Sequence, residues 1–316
     1  MTNSHNGINR QEIESTRGLK IALGIVLVMM VVEVVGGILS NSLALLGDAG
    51  HMFVDALALS LSLFALTLAR RPATATRTYG FHRAEIMAAL INGTILAIVA
   101  AFIFYNAYQR FLNPLEIHSG LMLVVAGLGL IANLAGILLL RRNRHVSLNI
   151  RAAFFHILGD TISSVGVIAA GIIIALTGWN YADPIIAIVI GIIILVGAVQ
   201  LLRESSDILL EAVPKHIEMD KVTQTIKNVE GVNGIHDLHI WTITSGIFAM
   251  SAHVVVQDRM VSHTREILDT INRELAESFS ITHTTLQLEC GQGANCTEGL
   301  VCHLSRNNHT ESNHHG

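Results

Sequence analysis

Charged residues make up only 14% of this 316-residue chain. A soluble domain carries about a quarter, so an ordinary soluble globular protein is excluded. Aromatics are scarce too, at 5%, and the cysteines number three: Cys290, Cys296 and Cys302, all near the C-terminus. An odd, terminal set of thiols does not make a disulfide framework. No His-Glu-x-x-His occurs, so a metalloprotease lacks both its ligand pair and its general base. The first 18 residues are polar, and the apolar run after them is longer than a signal-peptide core, so no cleaved signal is expected.

What the chain does contain is apolar length. It is 51% hydrophobic, with 26 glycines suited to close helix packing in lipid, and its mean hydropathy is +0.54. Six apolar runs, roughly 19–39, 43–69, 84–108, 119–140, 152–177 and 184–203, each approach the ~20 residues that span a bilayer. Ser40-Asn41-Ser42 joins the first two as a tight hairpin. Trp179-Asn180-Tyr181 reads as an interfacial turn, and Asp183-Pro184 as a carboxylate cap followed by a proline at the first helical position.

The basic residues orient the spans. Arg10, Arg17 and Lys20 precede the first; Arg70, Arg71, Arg77 and Arg83 follow the second; Arg141, Arg142, Arg144 and Arg151 lie around the fourth loop, whereas the other loops hold only Arg110. The positive-inside rule places both termini in the cytoplasm. The expectation is therefore a multi-pass protein of the cell membrane, with the lipid bilayer as a partner and no nucleic acid.

After about residue 210 the pattern becomes that of a small soluble domain. Residues 218–229 read as an amphipathic helix, 234–244 and 247–257 as strands around Ser245-Gly246, 262–279 as a helix capped by Ser262, and 284–289 as a last strand. The expected fold class is an α-helical membrane protein: six transmembrane helices followed by a small cytoplasmic α+β domain of order αββαβ. The expected division is a tail over 1–17, the membrane domain over 18–211, the cytoplasmic domain over 212–290 and a Cys- and His-containing tail over 291–316.

Two copies of one pattern sit inside the apolar runs: His51-x-x-x-Asp55 and His156-x-x-x-Asp160. Four residues is about one helical turn, so each imidazole and carboxylate share a face. Ionisable residues within a membrane helix mark a site or a pathway. Two nitrogens and two oxygens suit a tetrahedral Zn²⁺, whereas Mg²⁺ and Ca²⁺ prefer oxygen alone. The two helices run in opposite directions, so Asp55 lies on the cytoplasmic side of His51 and Asp160 on the outer side of His156. Asp48 reads equally as a vestibule carboxylate and as a residue favouring the helix dipole. Glu33, Asn92 and Asn133 are expected to hydrogen-bond between helices.

These residues resemble the cation diffusion facilitator family, in its zinc transporter branch. The resemblance rests on Ser42-Leu43-Ala44-Leu45-Leu46-Gly47-Asp48-Ala49-Gly50-His51 with Asp55, on Tyr79-Gly80-Phe81-His82-Arg83-Ala84-Glu85, on His156-Ile157-Leu158-Gly159-Asp160 and on Asp183-Pro184, and it covers roughly residues 17–290. It implies a homodimeric, proton-coupled antiporter rather than an enzyme, with a transport site of His51, Asp55, His156 and Asp160 and a metallochaperone-like cytoplasmic domain. It also implies an accessory zinc at His82 and a cytoplasmic zinc at His239, His253 and Glu289. Cys290, Cys296 and Cys302 are further candidate ligands, as are His236 and His283. Regular strand alternation puts His236 and His239 on opposite faces, so they are not expected to share one ion. The competing reading is a membrane-bound zinc sensor without transport, which would have no use for ligands at mid-membrane. The long His-rich loop of many relatives is missing here; only Arg141-Arg142-Asn143-Arg144-His145 joins the fourth and fifth spans, leaving metal capture to His303, His309, His314 and His315.

Overall fold

A computed structural model describes residues 24, 27–69, 71–141, 148–257 and 260–290. Two compact units emerge. One contains the described residues up to Arg71 together with Met87–Arg203; the other contains Pro72–Ile86 and the described residues from Glu204 onward.

The first unit is built from α1 (Leu27–Ser40), α2 (Leu43–Ala69), α3 (Ala84–Leu112), α4 (Ser119–Arg141), α5 (Leu148–Thr177) and α6 (Ala182–Leu209), less the ends of α3 and α6 that belong to the second unit. Among the described residues, four stretches within α3 to α6 are long and apolar enough to cross a membrane by length and composition. Helix α2 is 27 residues long and carries the ionisable residues of the candidate site. The bundle interior is small and tight, with Ala44, Val54, Ala100, Ala107, Val167, Ala170 and Ala187 wholly buried. The outside is equally apolar: Ile38, Phe102, Ile131 and Val196 are each more than 60% exposed. A surface of that kind belongs against lipid, where burial must occur on both sides of a helix.

Helix α2 starts at a sharp turn. Asn41 takes a left-handed conformation, φ 58°, which Asn tolerates better than most residues. Ser42 then caps the helix, its Oγ accepting the Leu45 N–H at 3.1 Å. Helix α3 runs to Leu112, so Arg110 is a helical residue and not a loop residue as the hydropathy pattern implied.

The second unit holds α7 (Met219–Lys227), β1 (Val232–Thr244), β2 (Ile247–Val256), α8 (Val261–Phe279) and β3 (Ile281–Cys290), in the expected αββαβ order. The sheet order is β1-β2-β3; β1 and β2 form an antiparallel hairpin, and β3 runs parallel to β2. Gly246 makes the hairpin turn at φ 76°. The α8 cap is Met260, with no side-chain cap bond, and not Ser262 as the sequence implied. Val222 and Ile226 of α7 pack with Ile267, Ile271 and Leu275 of α8 against Leu238, Ile240, Met250 and Val254 of the sheet. Each such fully buried side chain contributes about 1.5–3 kcal/mol, enough in sum to make this face of the sheet the core and leave the other for chemistry.

Candidate metal centres

The first centre joins α2 to α5. One turn of α2 sets the His51 Nε2 3.4 Å from Asp55 Oδ2, and the same nitrogen lies 3.9 Å from Asp160 Oδ1 on α5. Asp160 is 3% exposed, while His51 and Asp55 keep about a quarter of their side-chain surface. His156 occupies α5 one turn before Asp160, and its side chain lies outside the described residues. The fold thus draws three of the four expected residues, from two helices, into one polar pocket inside an apolar bundle. An imidazole nitrogen and two carboxylates at these separations offer the mixed donor set that a Zn²⁺ takes.

Supporting contacts fix this geometry. Ser163 donates its hydroxyl to Asp48 Oδ1 at 2.6 Å, tying α5 to α2 one turn before His51. Ser164 donates to the Asp160 carbonyl at 3.0 Å and accepts from Asn133 of α4 at 3.3 Å. Asn133 therefore makes an interhelical hydrogen bond, as the sequence implied. Glu33 does not follow that expectation with both oxygens, since its buried Oε2 has no hydrogen-bond partner; nor does Asn92, whose Oδ1 has none.

Asp183 does something the sequence did not suggest. Although Pro184 follows it at the start of α6, its carboxylate serves α2. Oδ2 accepts the Leu43 N–H at 2.8 Å and Oδ1 the Ala44 N–H at 3.2 Å, while Ser42 Oγ donates to Oδ1 at 2.6 Å. Arg110 of α3 completes the knot, 3.0 Å from Oδ2, and also bonds the Asn41 carbonyl. Asp183 is fully buried. One side chain thus caps the helix that carries His51 and Asp55 and ties it to α3 and α6.

The second centre lies on the open face of the sheet. His236 Nε2 is 3.0 Å from Glu289 Oε2, and His253 Nδ1 is 2.8 Å from Glu289 Oε1. These three residues can place ligand atoms within 4.8 Å of one another, the one such group of three among the described residues. His236 Nδ1 is buried without a hydrogen-bond partner, which suits a nitrogen that binds metal. Two imidazoles and a carboxylate fit a Zn²⁺ with a fourth position open. Burial pushes the Glu289 carboxyl up, but hydrogen bonding from His236 and the charges of His253 and His236 outweigh it and hold the group below its ordinary value.

His239 reaches this face by a bulge. The β1–β2 register shifts between His236 and His239, and Asp237 between them has φ 51°. The buried positions run Ile235, Leu238, Ile240, so the extra residue puts His236 and His239 on the same, outward face. The opposite-face expectation therefore fails because the strand is not regular. His239 Nε2 bonds Asp237 Oδ1 at 3.1 Å, and His253 Nε2 lies 3.8 Å from Asp237 Oδ2. Asp237 is thus a site residue that the sequence reading missed; an acidic residue between two histidines was the available signal.

The remaining candidates lie elsewhere. His283 is exposed near the start of β3, its ring edge-on to Tyr79 at 5.6 Å. Cys290 is a free, exposed thiol at the end of β3. Cys296, Cys302 and the C-terminal histidines fall outside the described residues. His82 sits half-buried in the turn before α3, and among the described residues it joins no group of three metal-binding side chains.

Comparison with known proteins places this geometry in context. The transmembrane-domain model of the cation efflux family matches residues 19–210, and the model of the cation efflux protein cytoplasmic domain matches residues 214–290. A cadmium, cobalt and zinc/H(+)-K(+) antiporter of Bacillus subtilis is 39% identical over 98% of this chain and 100% of its own. The metal cation efflux system protein CzcD of Cupriavidus metallidurans is 44% identical over 86% of each chain. The zinc transporter ZitB of Escherichia coli is 36% identical over 99% of each.

Proposed function

This chain belongs to the cation efflux family of membrane transporters, and we propose that within it the protein exports Zn²⁺ from the cytoplasm in exchange for protons. The observation that carries this reading is the pocket in which His51 and Asp55 of α2 face Asp160 of α5 inside an apolar bundle. His156, one turn from Asp160, supplies the fourth ligand. The metal is the substrate here and not a resident cofactor.

Proton exchange follows from the ligand chemistry. Zn²⁺ binds neutral imidazole and ionised carboxylate, so loading expels protons. Free imidazole titrates near pH ~6.5, within reach of the cytoplasm and of the outside. When the site opens inward it takes metal and loses protons; when it opens outward it regains protons, chiefly on His51 and His156, and releases metal. The names of the relatives, which include cadmium, cobalt and zinc, support a divalent transition-metal cargo.

The protein works in the cell membrane as a homodimer with both termini in the cytoplasm. The His236–His253–Glu289 group binds a second, regulatory Zn²⁺, with Asp237 and His239 beside it. The deciding experiment is metal uptake into proteoliposomes under an imposed pH gradient. Asp55→Ala and Asp160→Ala should each abolish zinc flux while the protein remains folded in the membrane. Wild-type rates in either variant would overturn the assignment.

A further inference from the structure

Four carboxylates stand in or beside the α2–α5 pocket, and the metal shell uses two of them. Asp55 and Asp160 are compensated when Zn²⁺ is bound. Glu33 on α1 and Asp48 on α2 are not, although they are 2% and 3% exposed. Asp48 has the Ser163 hydroxyl, but Glu33 Oε2 is buried without any hydrogen-bond partner. The carboxylates of Asp48 and Asp160 are close enough to act on Glu33 electrostatically. An ionised carboxylate in an apolar, water-poor interior costs several kcal/mol unless a cation joins it.

The space around Glu33 is shaped for it. A Cβ at Gly129 of α4 would fall 2.7 Å from Glu33 Oε1 and 3.8 Å from Ser164 Oγ. Only glycine leaves the Glu33 side chain its position there. Beside it lie Gly129 of α4 and Ser164 of α5, and the charges that act on it are Asp48 of α2, with His51 a turn further on, and Asp160 of α5; Asn133 of α4 is taken up by Ser164. The carboxylates of Glu33 and Asp48 themselves offer only oxygen, a set that suits a proton or an alkali cation better than Zn²⁺.

We propose that Glu33 and Asp48 form a second cation subsite, separate from the metal shell, which holds a further small monovalent cation that flows against the metal beside the protons taken up by His51 and His156. The inference rests on the exchange reading above. Occupied, the subsite neutralises the pocket after the metal has left; emptied, it restores the negative charge that draws the next metal in. The monovalent cation has two possible sources, H⁺ and K⁺, and they share this chemistry.

The test compares two transport modes of the reconstituted full chain. Zinc–zinc exchange at equal zinc on both sides needs no counter-cation; net zinc flux does. Net flux is driven by a pH gradient in one arm and by a K⁺ gradient in the other. Glu33→Gln should lower the ratio of net flux to exchange at least tenfold in the arm that drives the wild type, and that arm identifies the cation. Gly129→Ala, which crowds the same side chain, should lower the ratio in the same direction and serves if Glu33→Gln does not fold. A wild type driven by neither gradient overturns the exchange reading and this inference together. A driven wild type with the ratio kept in both variants, or with exchange and net flux falling in parallel, overturns this inference alone.

Discussion

Asp183 offers the sharpest test of how the bundle holds its proposed metal site. Its carboxylate makes four contacts at the head of α2: two main-chain N–H groups, the Ser42 hydroxyl and the Arg110 guanidinium. Asp183→Ala removes all four acceptor contacts and leaves Arg110, only 14% exposed, without its carboxylate. Stranding one partner of a buried pair costs about 3–5 kcal/mol, and losing a helix cap about 1 kcal/mol. Together these approach the whole stability of a marginal protein, about 5–15 kcal/mol. Asp183→Asn keeps an oxygen acceptor and should cost about half as much. The measurement is reversible unfolding in mixed micelles, followed by circular dichroism, for Asp183→Ala, Asp183→Asn, Arg110→Gln and the double variant Asp183→Asn/Arg110→Gln. Because the single losses share one contact, the cycle should show a coupling of about 2 kcal/mol. There is also a functional consequence. His51 is eight residues beyond Leu43, about 12 Å along the helix, so a loosened first turn lets α2 shift and weakens zinc binding in the membrane site. Additive single effects, or a cost below about 1 kcal/mol for Asp183→Ala, would refute the argument that this residue anchors α2.

Three further outcomes follow from the proposed metal centres. In full-length protein whose membrane site is silenced by Asp160→Ala, His236→Ala or His253→Ala should weaken cytoplasmic zinc binding by at least about tenfold in a chelator competition, and His239→Ala by less, as an outlying group would; equal losses for His236→Ala and His239→Ala would show that the bulge delivers both rings to one ion. In the same titration, affinity should fall as pH drops through about 6.5, where imidazoles take up protons; Glu289, held below its ordinary value, stays ionised through that window, so a loss delayed to the carboxylate range near pH ~4 would contradict the ligand set. His51→Asp replaces a nitrogen donor with oxygen and should raise the ratio of cadmium to zinc flux several-fold in proteoliposomes, and an unchanged ratio would remove His51 from the selectivity shell.

The parts that were legible in the sequence are those set by local rules. Apolar runs of bilayer length mark α3 to α6 because each must be apolar on every side, and the 3.6-residue spacing of Ile267, Ile271 and Leu275 marks α8 because only one face is buried. The pairing of His51 with Asp55 is legible for the same reason, being one turn of one helix. What was hidden depends on a partner far along the chain or on a single irregular backbone angle. Asp183 read as the cap of its own helix, since Asp-Pro is a local signal; the donors it accepts from lie some 140 residues away. His236 and His239 read as opposed, since alternation assumes a regular ladder; one left-handed residue, Asp237, reverses the answer for the whole half-strand. Glu33 read as an ordinary hydrogen-bonding group because nothing in α1 says that α4 opposes it with a glycine. In each case the local pattern names the correct chemical group and misplaces its partner. Transport chemistry depends on that second part: a carboxylate in a membrane helix is a cap, a ligand or a cation seat according to what another helix brings to it.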